Sequence, residues 1–241
     1  MNKKKLRLDE FEQTREMIHR QMLSAVSHDL KTPLATIIGS LEIFTRMEDR
    51  MSAEKKAMLI RSALSEAYRL DHFITNILDM AKLEHGLTKI KPERCDLTTL
   101  LQDCVMKIGP RAEKGKIQLQ PVGGSTIVFT DPMLLGRAAG MLIDNALKHG
   151  GAQPVIGVEY GCDQGNTGFI RVSDDGAGIP AGKEEEIFSK YTRFSRSDQQ
   201  NAGTGLGLAI CRQIMMTLGG SIAVQNRASG GAEFTLRFPT H

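Results

Sequence analysis

The run Ser27-His28-Asp29-Leu30-Lys31-Thr32-Pro33-Leu34 places residue types suited to phosphoryl chemistry side by side. A neutral imidazole keeps one nitrogen free to attack, while its other N–H fixes the tautomer. Asp29 follows His28 directly and can accept that N–H, which sharpens the free nitrogen as a phosphoryl acceptor. Thr32 comes one helical turn after His28, so its hydroxyl shares the face and can orient a water. Pro33 has no N–H and its ring crowds the carbonyl of Asp29, so a helix through this run is expected to bend or loosen there. The plainer reading of the same residues is a surface histidine beside an acid in an amphipathic helix.

Three stretches of the C-terminal half add further chemistry. Asp144-Asn145-Ala146-Leu147-Lys148-His149 closes an apolar helical run. Asn145 and Lys148, three apart, share a face on which an amide oxygen can ligate Mg²⁺ and an ammonium can meet a phosphate. Ser173-Asp174-Asp175-Gly176-Ala177-Gly178-Ile179-Pro180 follows a strand-like run. Its glycines allow close backbone approach, and a carboxylate at a strand end can accept from an exocyclic amine. Gly203-Thr204-Gly205-Leu206-Gly207-Leu208 opens a helix, whose first N–H groups form an anion site.

Each stretch also has an ordinary counterpart: a polar helix end, a surface turn or calcium loop, and a glycine-rich helix start. The calcium reading lacks acids at alternate positions and a closing Glu, and Val172 breaks the pattern. GxGxG is not the dinucleotide fingerprint GxGxxG. The Walker pattern fails because Gly182-Lys183 is followed by Glu184 and Ala177 occupies its first glycine position.

The elements that must hold these residues differ between the two halves. Residues 6–47 are predicted as one long helix, with Leu23, Val26, Leu30, Leu34, Ile37, Ile38 and Leu41 recurring every three or four positions. Phe11, Ile18, Met22 and Ala25 extend it at near-heptad spacing as a coiled-coil seam. A short turn over residues 47–52, with Ser52 as N-cap, leads into a second helix that stops at Gly86. That helix gathers Ile60, Leu64, Ala67, Leu70, Ile74, Ile77, Leu78 and Ala81 on one face. A two-helix hairpin has a thin core of its own, and pairing two hairpins into a four-helix bundle buries both stripes. A homodimer is therefore expected.

After Gly86 the pattern changes to alternation of strands and helices. A linker over residues 90–96 leads into a strand, and a helix runs from Asp96-Leu97 to Ile108. Short strands are expected at Ile117–Gln120 and Thr126–Phe129 around the turn Pro121-Val122-Gly123-Gly124. A helix starts at Asp131-Pro132 and runs to about His149. Strands at Val155–Tyr160 and Gly168–Val172, a helix at Leu206–Leu218 and strands at Ser221–Gln225 and Glu233–Arg237 complete an α/β sandwich with helices on one face of a mixed sheet.

A chain of 241 residues allows one large or two modest domains. Its 31 basic and 28 acidic residues are interspersed, for a net charge of +3, which does not point to nucleic acid. The only basic cluster, Lys3-Lys4-Lys5 with Arg7, reads as a solvated terminus, or as a segment lying against anionic lipid in a longer parent. Cys95, Cys104, Cys162 and Cys211 form neither a CxxC pair nor a zinc spacing, so reduced thiols are expected. No apolar run approaches the ~20 residues of a membrane helix. The expectation is a soluble intracellular protein, or the cytosolic part of something larger whose membrane contact lies outside this chain.

Taken together and in order, these stretches resemble the sensor histidine kinases of two-component signalling. SHDLKTPL resembles the phosphoacceptor box of that family and IDNALKHG its asparagine box. SDDGAGIP and GTGLGLAI resemble its two glycine boxes, and IFSKYTRF its phenylalanine box. RLDHFITNILDMAKLEHG resembles its second dimerisation helix. The run from EIFSKYTRF to GGSIAVQNRASGGAEF is also similar to the subgroup that controls high-affinity potassium uptake.

The resemblance implies a dimerisation and histidine-phosphotransfer hairpin over residues 1–88, followed by a gyrase/Hsp90-like ATP-binding domain over residues 89–241. It implies Mg²⁺ and ATP as cofactors and a response-regulator receiver domain as partner. His28 would be the phosphorylated residue, Asp29 its activating acid and Thr32 a support for dephosphorylating the regulator. Asn145 would hold Mg²⁺ and Lys148 a phosphate, and Asp174 would bind the adenine amine. Gly176 and Gly178 would shape the pocket, with Gly203, Gly205 and Gly207 at the phosphates and Leu208 beside them. Ser195 to Ala202 would form a mobile lid over the nucleotide. Two positions depart from the family pattern: Met141 stands where a first asparagine is common, and Asp175 where asparagine is usual. A water-using ATPase of the same fold and a non-catalytic dimeric adaptor are the alternatives.

Overall fold

The computed structural model describes residues 27, 29–109, 112, 115–151, 153–163, 167–192 and 205–240. The coiled-coil seam, the basic cluster, His28, Gly203 and the expected lid at Ser195–Ala202 lie outside the described residues. The chain divides into two compact units, Met1–Thr75 and Asn76–His241.

The first unit is a helical hairpin. Helix α1 covers residues 29–47 and runs unbroken through Pro33. The missing N–H of Pro33 removes one bond, to the Asp29 carbonyl, and the neighbouring turns carry the helix on. The Thr36 and Thr45 hydroxyls bond back to the carbonyls of Thr32 and Leu41, at 3.2 and 2.8 Å. A single 3₁₀ turn, Glu48–Arg50, reverses the chain. Ser52 then caps α2 (Ala53–Glu84): its carbonyl accepts from Lys56 N–H at 3.0 Å and its hydroxyl from Lys55 N–H at 3.4 Å. At the far end Gly86 takes φ +63°, with Leu87 N–H bonded to the Lys82 carbonyl and Gly86 N–H to that of Leu83. This paired closure at a left-handed residue needs the missing Cβ of glycine.

The last turns of α2 belong to the second unit. Arg137 reaches Asn76 Oδ1 at 3.3 Å and pairs with Asp79, and Lys190 pairs with Glu84 at 2.5 Å. The strands of this unit are β1 (Glu93–Asp96), β2 (Lys116–Pro121), β3 (Ile127–Thr130), β4 (Val155–Cys162), β5 (Thr167–Ser173), β6 (Ser221–Asn226) and β7 (Ala232–Pro239). Its helices are α3 (Leu97–Ile108), α4 (Pro132–His149) and α5 (Gly207–Thr217). The main sheet has the order β2-β4-β5-β7-β6, with β2 parallel to β4 and every other pair antiparallel.

Alternation decides which face of that sheet is covered. Val158, Tyr160, Ile170, Val172, Phe234 and Leu236 are buried, while Glu159, Arg171 and Glu233 form a charged row on the other face. Helix α4 packs between α3 and α5, with a buried stripe of Leu135, Ala138, Ala139, Leu142, Ile143 and Ala146. The small Ala138 lets α5 approach closely enough for the Cys211 thiol to reach its carbonyl at 3.6 Å. Complete burial pushes that thiol up to about 12. All four cysteines are free and buried.

The turn Pro121–Gly124 does not fold β2 and β3 onto each other. Val122 N–H bonds to the Tyr160 carbonyl at 2.8 Å and Gly124 N–H to that of Cys162 at 3.3 Å, so the chain continues along β4 instead of reversing. Strand β3 joins β1 in a separate two-stranded antiparallel sheet, with Cys95 opposite Val128. Among the described residues, no helix is long and apolar enough to cross a membrane.

Candidate functional site

The best-defined polar constellation lies where α4 ends against the loop after β5. Helix α4 is placed at its start by Asp131, which is buried. Its Oδ1 accepts from Met133 and Leu134 N–H, each at 3.0 Å, and Oδ2 from Lys91 N–H at 2.8 Å. Pro132 at the first helical position needs no donor partner. The apolar stripe of the helix fixes its rotation, leaving Asn145 half-buried and Lys148 exposed at its C-terminal end. Lys148 Nζ pairs with Asp144 Oδ2 at 2.6 Å, one turn back on the same face.

Strand β5 ends at Ser173 and delivers Asp174, only 3% exposed, to the same place. One carboxylate oxygen, Oδ1, accepts from Gly176 N–H at 2.9 Å and from Ala232 N–H at 3.2 Å. Among the described residues no hydrogen bond reaches Oδ2. A buried carboxylate with one oxygen fixed by two backbone donors and the other open is built to take a donor from a ligand. Gly176 is needed here because a Cβ would overlap the His149 carbonyl, so the loop lies directly against the last turn of α4. Asn145 and Lys148 are thereby brought into the neighbourhood of Asp174, Gly176 and Gly178.

Helix α5 starts beside α4, its N-cap position is Leu206, whose side chain cannot cap, and a helix start of this kind is where an anion is attracted. Gly205 has φ +64°, and a Cβ on it would come within 2.9 Å of Tyr191 Cα. Tyr191 N–H bonds to the Gly205 carbonyl at 2.9 Å and itself holds φ +62°, the one positive φ at a non-glycine among the described residues. Gly207 faces open space and Leu208 is half-buried. In the hairpin, Asp29 is half-buried and Thr32 exposed.

Residue patterning missed the second half of the Asp174 environment. The β6–β7 connection supplies Ala232 N–H, an Arg227 Nη1–H donated to the Asp174 carbonyl at 2.9 Å, and the Asn226 amide, which bonds the backbone of Ile179. The available signal was a polar Asn-Arg pair ending a strand just before Gly230-Gly231.

Residues 130–241 match the family described as histidine kinase-, DNA gyrase B-, and HSP90-like ATPase, and residues 18–86 match the His Kinase A (phospho-acceptor) domain. Sensor protein KdpD of Escherichia coli is 35% identical over 229 residues, covering 93% of this chain and 25% of KdpD. The chain thus spans about a quarter of the length of that relative. Among solved structures, histidine kinase AdeS of Acinetobacter baumannii superposes with a TM-score of 0.71 at 21% identity, covering 89% of this chain and 98% of AdeS. Histidine kinase ThkA, solved in complex with response regulator protein TrrA, gives a TM-score of 0.70 at 20% identity, covering 100% of this chain and 67% of that one. These two likenesses are of fold.

Proposed function

Starting from a chain that belongs to the sensor histidine kinases, we propose that it transfers the γ-phosphoryl group of ATP to His28 and then to an aspartate of a response-regulator receiver domain. The observation that carries the nucleotide half of this reading is Asp174, buried, with Oδ1 fixed by two backbone N–H groups and Oδ2 open to an exocyclic amine.

Around it, Gly176 keeps the loop close to α4 and Gly178 keeps it close to Asn226, and Gly203, Gly205 and Gly207 with Leu208 receive the phosphates at the start of α5. Asn145 offers a hard amide oxygen to Mg²⁺, a cation that keeps several waters and shares phosphate oxygens. Bound there, Mg²⁺ would supply charge neutralisation on the phosphates. Lys148 would exchange Asp144 for a phosphate oxygen.

At the acceptor, Asp29 orients the imidazole of His28 and takes its N–H, leaving the other nitrogen to attack. Phosphoryl transfer of this kind rests on positioning and charge neutralisation. Thr32, one turn on, orients a water for removing phosphate from the regulator.

The hairpin works as a homodimer in this reading, its exposed apolar stripe closing a four-helix bundle. We set the domain boundary after residue 88 and place the chain in the cytosol as part of a longer, membrane-bound sensor. The resemblance to the potassium-uptake subgroup belongs to the same proposal.

Incubation with γ-labelled ATP and Mg²⁺ tests it. Acid-labile, base-stable label is expected on the native chain and absent from His28→Ala and Asn145→Ala. Label persisting on His28→Ala would overturn the acceptor assignment. Thr32→Ala is expected to lose phosphatase activity while still taking up label.

A further inference from the structure

The loop that presents Asp174 is gripped at both ends by the connection between β6 and β7. Arg227 Nη1 donates to the Asp174 carbonyl at 2.9 Å, at the start of the loop. At its other end, Asn226 makes a two-way bond with the backbone of one residue: Nδ2 donates to the Ile179 carbonyl at 2.8 Å, and Oδ1 accepts from Ile179 N–H at 2.7 Å. The loop approaches so closely that a Cβ on Gly178, at φ +74°, would come within 2.7 Å of Asn226 Oδ1. Gly178 thus makes room for the Asn226 amide.

The connection itself is braced. Arg227 N–H bonds to the Gly231 carbonyl at 3.0 Å, and Asp174 N–H to that of Ala232 at 2.9 Å. Gly231, at φ +82°, is buried where any side chain would overlap the Asp174 carbonyl. A carboxamide is the smallest neutral side chain that donates and accepts in parallel with a peptide, so it mimics one rung of a sheet. A rigid sheet end is the kind of element that holds a binding group to the tolerance recognition requires.

We propose that Asn226 and Arg227 are positioning residues for nucleotide-base selection: by fixing the backbone at Ile179 and Asp174, they set the direction in which Asp174 offers its open oxygen. This rests on the nucleotide reading above and deepens it. Base discrimination depends on that direction, because an oxygen aimed at an exocyclic amine rejects a base carrying a carbonyl at the same place.

The test measures binding of ATP and of inosine triphosphate, which has a carbonyl in place of the amine, to the full chain by calorimetry. The native chain is expected to prefer ATP. Asn226→Ala is expected to weaken ATP binding roughly tenfold, as for loss of about one well-made hydrogen-bonded pair, while inosine triphosphate binding changes little, so the preference narrows. The near-isosteric Asn226→Asp loses the donor to Ile179 and guards against a folding artefact. It is expected to narrow the preference as well, as is Arg227→Met, which keeps the apolar stem.

A parallel loss for both nucleotides would mean a purely structural role and would overturn the inference. So would an unchanged preference in folded variants. A native chain that binds neither nucleotide, or does not distinguish them, would instead remove the nucleotide-base reading, and the inference with it.

Discussion

Leucine and isoleucine meet opposite fates in the two units. In the hairpin, Ile38 and Leu64 are 48% and 53% exposed although both lie on the predicted apolar stripes. In the α/β unit, Leu142 and Ile143, on a helix of similar amphipathic design, are fully buried. The difference lies in what each element is packed on. Helix α4 has a sheet beneath it and a helix on either side, so its stripe is satisfied within the chain. In the first unit, among the described residues, each hairpin helix has the other to pack on, and two helices cannot enclose a stripe wider than their line of contact. The same periodicity therefore encodes a core in one unit and an interface in the other.

The sharpest way to break this comparison is to charge the hairpin stripe. Ile38→Asp combined with Leu64→Asp should convert a dimer to a monomer in sedimentation at micromolar concentration, with ATP binding by the α/β unit retained. A native chain that sediments as a monomer would mean the exposed stripe has another purpose. A milder pair of substitutions sharpens the contrast. Ile143→Ala should cost about 2–5 kcal/mol in urea unfolding at any protein concentration. Leu64→Ala should cost less than about 0.5 kcal/mol in dilute monomer and more as concentration rises.

Legibility in the sequence follows the same division between local and distant causes. The helix ends were readable because their determinants sit within a few residues of the end: Ser52, Asp96 and Asp131 cap as their positions suggest, and Gly86 closes α2 in the left-handed region. Asn145, Asp174, Gly176 and Gly178 were readable as candidates for the same reason, each sitting at or just beyond a strand or helix end.

Strand partners were not readable. Residues 117–120 and 126–129 flank a glycine turn, yet one joins β4 and the other β1, because carbonyls some forty residues away bind the turn's N–H groups. The grip of Asn226 on Ile179 spans a similar separation, and no spacing rule reaches that far. Nor does local pattern foretell that Arg137 ties α4 to the last turns of α2, which places residues 76–84 with the α/β unit.

Helix capping carries the comparison to a smaller scale. Asp131 is buried and bonds three backbone donors, two of them on α4, so Asp131→Ala should cost about 1–2 kcal/mol. Ser52→Ala, at an exposed cap with one long side-chain bond, should cost about 0.5 kcal/mol. Urea unfolding that found the two equal would mean burial adds nothing to a cap.

The smallest effect separates the units by acid. Helix α2 is capped by the Ser52 hydroxyl, which does not titrate, whereas α3 is capped by the Asp96 carboxylate, which bonds Thr98 N–H at 3.0 Å and the Thr99 hydroxyl at 3.2 Å. The Thr98 backbone bond, ahead of contributions from the Thr126, Thr98 and Thr99 side chains, holds Asp96 below its ordinary value of 3.8. A carboxyl depressed in the folded state stabilises the fold fully above its unfolded value, and that contribution is lost as pH falls through the lowered folded value. The side chain is half-buried and still reached by solvent, so the effect is modest and screened by salt. Melting temperatures of the native chain and of Asp96→Asn, an uncharged cap of the same shape, should differ by a constant amount at neutral pH. The difference should close as the pH drops below 3.8. Replacing Ser52 by Asn should leave the acid profile unchanged. A difference between native and Asp96→Asn that stayed constant into strong acid would mean the carboxylate charge plays no part in holding α3.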